Sequence, residues 1–509
     1  MLEKRLSSRA ALRQNPRVIV WVVFMLFTCI MWGYDGLAGG VVVGIPEFRR
    51  DFGYQMNGTY VLRAQWQSAF NSCGQASMFF GGLLNGWFAE RVGCKISMTC
   101  ATLISICGVF PQFFATRPAV FLVGKIITGF TLGMYLITAP TYISEISPTV
   151  VRGSLTAAIN LSMVVGQLLC QVILRGTSKF SPSPMVYKAL FAVQWGFAAS
   201  ILCVIPFMPE SPWWLVRKGK LEKARKSLKK LYGPNDELIE TRLSDIRQTI
   251  ANSWKEEGTY FQCFLSTDRR RTLIAMAVFV VQLLSGAPFV LGYQTYFLQV
   301  VGIAISHSYT ITCANYAFML VGNAIGIVLC ERVGRRPMFL CGIITLGVLA
   351  LLIGITGKIL SSRAWWAMVV FIGIWGFVYQ ATIGAVGWSI AAEVSTPRLR
   401  SPTQAIANMT SSIISTIVIF VIPFMVNPDA ANLKTNATFI FAGLSTVCSV
   451  IVYLFFPELK GRSFYELDEM FGTKVKTRDF KTYKTGADDA ESGKRKVSYI
   501  ESTRTPQIC

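Results

Sequence analysis

Two blocks of long apolar runs, broken by short polar turns, are divided by one polar interval that extends roughly from Pro209 to Arg271. Before it the apolar runs fall near 18–44, 66–89, 96–115, 119–142, 153–175 and 188–208. After it they fall near 272–299, 308–330, 337–357, 366–391, 403–426 and 437–457. Each is long enough for the roughly 20 residues that cross a bilayer as helix, where every backbone polar group must be satisfied within the segment. The pattern predicts an all-α membrane protein with twelve transmembrane helices in two six-helix halves, 18–208 and 272–457. Even counts return the N-terminal tail (1–17), the interval (209–271) and the C-terminal tail (458–509) to one face.

The interval itself carries helical periodicity. Leu221, Ala224, Leu228 and Leu231 stripe a first helix that stops at Gly233-Pro234. Asn235 is the expected N-cap of a second, striped by Ile239, Leu243, Ile246, Ile250 and Trp254. These amphipathic helices are expected to lie under both halves as a hinge cover, with their apolar stripes against protein or lipid. Beyond about Phe471 the chain turns polar and aperiodic, the signature of a largely disordered tail.

Charge fixes the orientation. The formal net charge is +22, and its Lys and Arg sit in short connections, the interval and the tails, which assigns those segments to the cytoplasm. No basic stripe interleaved with aromatics lies on a soluble domain, so nucleic acid is not the expected partner. Thirteen cysteines scattered mostly in apolar runs have no metal-ligand spacing, and neither a disulfide framework, a metal nor a cofactor is expected. The first apolar run is too long for a cleaved signal and is expected to remain as a span. Asn57-Gly58-Thr59 is a candidate glycosylation acceptor in an outer loop.

The halves repeat one another. Glu90-Arg91-Val92-Gly93 recurs as Glu331-Arg332-Val333-Gly334, an offset of 241. Glu145 with Arg152 recurs as Glu393 with Arg400, and Pro209-Glu210 as Pro457-Glu458, both at 248. Three matches in one order argue for a duplicated six-helix unit, with a ligand site near the midplane between the copies. The repeated charges Glu90, Arg91, Glu145, Arg152, Glu331, Arg332, Glu393 and Arg400 lie in turns on the cytoplasmic side. They serve either as topological anchors or as a network that latches the halves when that side is shut.

Charges inside spans are costly and therefore informative. Asp35 and Lys125 lie roughly 13 and 9 Å from the outer surface at 1.5 Å per residue, close enough to pair if their helices touch. Such a pair suits a proton carrier, because burial raises a carboxyl pKa and a nearby cation lowers it; a fixed structural ion pair would have the same residues. Asn160, Gln167, Gln282, Tyr293, Tyr296 and Trp388 could supply amides and aromatic faces to a sugar, or simply bond helix to helix.

Taken together, Pro140-Thr-Tyr142-Ile-Ser-Glu145-Ile-Ser-Pro148 with Arg152-Gly153, Pro209-Glu-Ser-Pro-Trp-Trp-Leu215, Glu331-Arg-Val-Gly-Arg-Arg336 and Pro457-Glu-Leu-Lys-Gly-Arg462 resemble the sugar porter family of the major facilitator superfamily. Gly33-Tyr34-Asp35, Trp66-Gln67-Ser68, Asn85-Gly86-Trp87, Gly166-Gln167 and Asn427-Pro428-Asp429 are similar to the fungal α-glucoside (maltose-type) proton symporters within it. The resemblance implies that Asp35 is the proton-coupling aspartate and that Asn160, Gln282 and Trp388 contact sugar. Departures are Cys94-Lys95 in place of a second Gly-Arg-Arg turn, Lys125 where many relatives have arginine, Leu283 after Gln282, and Pro288 for an expected asparagine.

The expected protein is a multi-pass plasma-membrane carrier, with both termini cytoplasmic, that imports an α-glucoside such as maltose together with a proton. A monosaccharide uniporter is the alternative, and a sugar receptor with the same fold is a third. No nucleophile, base and orienting group assemble from the motifs, which argues against an enzyme.

Overall fold

In the computed structural model, described for residues 15–56, 58–147, 152–254, 260–359, 361–396, 399–460 and 464–483 apart from 474, 478 and 482, the chain is built almost wholly of helices. The first half comprises α1 (Pro16–Val42), a short α2 (Pro46–Phe52), a small hairpin β1–β2 (Tyr54–Met56 and Thr59–Val61), α3 (Ala64–Val92), α4 (Cys94–Phe114), α5 (Pro118–Ile146), α6 (Arg152–Thr177) and α7 (Met185–Val204). The interval holds α8 (Pro212–Arg217), α9 (Leu221–Tyr232) and α10 (Asp236–Trp254). In the second half α11 (Ser266–Leu284) and α12 (Tyr293–Val301) form one span, followed by α13 (Ile305–Val333) and α14 (Arg335–Lys358). Then α15 (Ser362–Tyr379) and α16 (Ala385–Val394) form another, followed by α17 (Arg400–Val426), α18 (Ala437–Phe455) and a short α19 (Phe464–Gly472).

Among the described residues ten helices, or eleven spans once the bent pair α11–α12 counts as one, are apolar and long enough to cross a membrane. The twelfth is α3, whose 29 residues carry Gln67, Ser68, Asn71, Ser72, Gln75 and Asn85 and so dilute its hydropathy. Its polar side is turned inward: Gln67, Ser68, Ser72 and Asn85 are buried, while Phe80, Leu83, Leu84 and Trp87 are exposed to the surroundings. Twelve helices of this kind satisfy their backbone internally and need polar partners only where helices meet.

The α11–α12 span bends by 48°. Gly286 has a positive φ of 97°, and Pro288, which lacks an amide hydrogen, opens a wide π-type turn over Pro288–Gly292. A second wide turn, Gln380–Gly384, interrupts α15–α16.

The helices of the interval pack together through Ala224, Leu228, Ile239, Leu243 and Ile246, with Trp214 and Leu215. Asn235 Oδ1 accepts the Leu238 N–H at 3.3 Å, the capping bond its position predicts. They are seated on the first half: Tyr232 donates to the Ile146 carbonyl at 2.8 Å, and Leu231 joins a core with Val18, Val22 and Ile146. The amphipathic stripes suggest a surface under both halves, and Leu231 and Tyr232 place the interval helices against the first. The face that carries the interval is called the loop end below.

Past Phe471 the polar sequence still contains a docked segment. Arg270 donates to the Val475 carbonyl at 2.8 Å and to Thr477 Oγ1 at 2.9 Å. Arg271 pairs with Asp468 at 2.6 Å, and Phe480 is fully buried. Residues 484–509 lie outside the described residues.

Candidate functional site

Asp35 lies in the last third of α1 among Gly33, Gly36 and Gly39. Lys125 of α5 donates to its Oδ1 at 3.3 Å. Gln194 of α7 donates to the same oxygen at 2.9 Å. All three are buried, and the carboxylate is compensated by one cation and one amide.

The pair sits on the wall of a cavity of about 140 Å³ between the halves. Asn71, Gln75 and Gln167 face it from the first half, and Pro288, Gly292 and Tyr293 from the second. Asn71 donates to the Tyr293 hydroxyl at 3.0 Å, and Gln167 Oε1 has no protein partner among the described residues. Of the six sugar-contact candidates, Gln167 and Tyr293 thus lie with Asp35 and Lys125. Asn160 and Gln282 converge elsewhere: they donate to adjacent carbonyls of the second wide turn, Gly384 at 3.4 Å and Ile383 at 2.9 Å. Trp388, one helical turn further, packs edge-on against Phe279 and is 40% exposed. Tyr296 donates to Asn427 Oδ1 instead of lining the cavity.

That last bond belongs to a network that joins the halves at the end opposite the loop. Asn427, fully buried, accepts from Gln67 at 2.8 Å and donates to the Leu62 carbonyl at 2.8 Å. Its neighbour Asp429 accepts the Ala64 N–H, at the start of α3, at 3.0 Å. Ser68 donates to the Phe420 carbonyl at 2.7 Å, and Arg49 to Gln299, whose amide donates to Gly44, both at 2.7 Å. Backbones touch as well, since a Cβ on Gly40 would lie 2.2 Å from the Gly292 carbonyl oxygen. The cavity is therefore shut at this end. The sequence marked Gln67 and Asn427 only as features of resemblance, and Arg49, Asn71, Gln194 and Gln299 not at all; an isolated polar residue does not announce a partner hundreds of residues away.

At the loop end the repeat becomes a device made twice. Glu210 accepts the N–H groups of Cys94 at 3.0 Å and Lys95 at 3.2 Å, at the start of α4. Glu458 accepts those of Arg335 at 3.1 Å and Arg336 at 3.2 Å, at the start of α14. A carboxylate at a helix N-terminus satisfies orphan donors and complements the dipole. Burial nonetheless lifts Glu210 above the ordinary carboxylate range, outweighing its backbone donors. Gly93 and Gly334, at φ 100° and 107°, make the turns beneath these carboxylates.

The copies differ at one position. Arg335 clasps Glu393 with two nitrogens, at 2.7 and 3.1 Å. Its counterpart is Cys94, and Glu145 instead receives Arg217 of the interval at 2.9 Å, with Ser211 also donating to it. Among the described residues these ion pairs each stay within one half and its adjoining loop. Arg91 lies over the Trp87 ring at 4.1 Å, the Glu90 carbonyl accepts from Trp214 at 2.8 Å, and the Arg332 carbonyl accepts from Lys460 at 2.5 Å. The side chains of Arg152, Glu331 and Arg400, and all of Asn57, lie outside the described residues.

Residues 21–471 match the model of the family described as sugar (and other) transporter. The general alpha-glucoside permease of Saccharomyces cerevisiae is 30% identical over 94% of this chain and 79% of its own length. Maltose permease MAL31 of the same yeast is 28% identical over 95% and 80%, and the MFS transporter fmqE of Aspergillus fumigatus 28% over 96% and 94%. Among solved structures, the xylose transporter XylE from E. coli in a partially occluded inward-open conformation superposes with a TM-score of 0.74 at 18% identity, covering 88% of this chain and all of that one. A twelve-helix bundle of two like halves, a cavity between them and a family match across nearly the whole chain lead to one conclusion: this is a membrane transport protein, not an enzyme, and it belongs to the sugar transporter family of the major facilitator superfamily.

Proposed function

We propose that the protein imports an α-glucoside such as maltose together with a proton, by alternating access, with Asp35 as the proton site. The observation that carries this reading is the buried Asp35–Lys125 pair, 3.3 Å apart on the wall of the cavity between the halves. A proton on Asp35 cancels its attraction for Lys125, so occupancy of the cavity and the state of the pair are coupled through one wall. The permeases of yeast named above, one for alpha-glucosides generally and one for maltose, support the choice of substrate class. Gln167, Asn71, Gln75 and Tyr293 offer amide and phenol groups to hydroxyls, and Asn160, Gln282 and Trp388 form a second polar and aromatic set toward the loop end.

With both termini and the interval assigned to the cytoplasm by the positive-inside pattern, the shut end faces outward, and the conformation described here is closed to the outside. Glu90, Arg91, Glu145, Arg152, Glu331, Arg332, Glu393 and Arg400 are then the charges that latch the halves as a cytoplasmic gate when that side is shut, the Glu393–Arg335 and Glu145–Arg217 pairs here each staying within one half and its adjoining loop, and the plasma membrane is the site of action. Asp35→Asn in proteoliposomes is expected to abolish acid-stimulated accumulation of labelled maltose while sparing counterflow. Unaltered accumulation would exclude the proposal, and uptake indifferent to the proton gradient in the unaltered protein would favour a uniporter.

A further inference from the structure

Gln194 is fully buried in α7, yet only half of its amide is used. Its Nε2 donates to Asp35 Oδ1 at 2.9 Å, while its Oε1 is buried without a hydrogen-bond partner among the described residues. A buried amide with one orphaned end costs stability, and an apolar side chain of similar size would pack at this place without that cost. The retained amide therefore calls for a role that packing does not supply.

We infer that Gln194 is a positioning residue that holds Asp35 in both of its protonation states. It donates N–H to the carboxylate, and a half-turn of the amide presents Oε1 to the carboxylic acid O–H. This rests on the reading of Asp35 as the proton site. Among the described residues the titratable groups near Asp35 are Lys125 from α5, Cys170 from α6, Tyr34 on its own helix, and Tyr293 across the cavity from α12. From α3 the cavity receives the neutral Asn71 and Gln75. Lys125 and Gln194 both donate to Oδ1, so the carboxylate keeps one donor when the other turns away. A hydrogen bond to the charged form is the stronger of the two that Gln194 can make, about twice a neutral one. Its removal should accordingly favour the neutral acid.

The test is pH-difference infrared spectroscopy of the purified full-length protein, in which the carboxyl band of Asp35 is identified by its loss in Asp35→Asn. In Gln194→Leu the titration midpoint of that band should move alkaline by about one pH unit. Gln194→Met, unbranched like glutamine, gives the same readout should the leucine variant fail to fold. A residue that only packs would lower thermal stability and leave the midpoint in place. A band that titrates but keeps its midpoint in the foldable variant overturns this inference alone. Absence of any titrating Asp35 band in the unaltered protein removes the assignment of Asp35 as proton carrier, and this inference with it.

Discussion

Gln67 and Asn427, 360 residues apart, share a hydrogen bond of 2.8 Å that ties the first half to the second at the end away from the loop. Both are buried, and Asn427 spends its remaining capacity on Tyr296, the Leu62 carbonyl and Asp429. One side chain thus stands at the centre of the contacts that close this end of the bundle, and its loss is an economical way to loosen it.

Asn427→Ala should shift the population toward a state open at that end. Removing the two hydrogen bonds by which Asn427 crosses between the halves, to Gln67 and to the Leu62 carbonyl, at about 1 kcal/mol each favours the open form by roughly thirtyfold. Spin labels at Tyr60 and Ala430, in the two loops that meet there, would report it as a longer distance in double electron–electron resonance. An unchanged distance distribution would mean that the closure is held elsewhere.

The loop-end pairs predict an asymmetry between the halves. Arg335–Glu393 is bidentate and partly buried, whereas Arg217–Glu145 rests on a half-exposed arginine. A double-mutant cycle with alanine at 335 and 393 should give a coupling of about 1 kcal/mol in thermal unfolding, and the same cycle at 217 and 145 about half of it or less. Equal couplings would contradict the geometry.

Much of this was legible in the sequence. Glu90-Arg-Val-Gly93 and its copy revealed the duplication, and the periodicity from Leu221 to Trp254 located both interval helices. The residues that join distant segments were not, because a glutamine in an apolar helix looks the same whether it meets Asp35, a carbonyl or nothing. Tyr296 illustrates a second obstacle. It shares a helix face with Tyr293 but stands one turn further along α12, so Tyr293 faces the cavity while Tyr296 reaches Asn427 at the shut end. Likewise, Pro209-Glu210 was a repeat marker in the sequence, and only its approach to Cys94 and Lys95 reveals a helix cap.

Gly93→Ala should destabilise the protein by about 1 to 3 kcal/mol, since alanine is strained at positive φ and its Cβ would lie 2.6 Å from Glu210 Oε2. Gly334→Ala should behave alike, with a Cβ 2.9 Å from Glu458 Oε2. Gly176→Ala is the control, because its Cβ would meet nothing within 4 Å. Melting temperatures that fall together at all three positions would argue against this account.

Glu210 adds a pH dependence. Its folded-state pKa is raised by burial, so the folded protein binds this proton more tightly than the unfolded chain does. The stability it contributes is present below the ordinary carboxylate range and is lost as pH rises through the raised value. Glu210→Gln removes that titration. The melting-temperature advantage of the unaltered protein over Glu210→Gln should therefore shrink from acid toward neutral pH, and an advantage that grows would reverse the sign.

The central claim is that sugar and proton move together through Asp35. Its most direct measurement is the external pH of a weakly buffered suspension of cells expressing the protein, recorded as maltose is added. The account predicts a transient alkalinisation that is absent in Asp35→Asn. Maltose uptake at full rate with no change in external pH would contradict it.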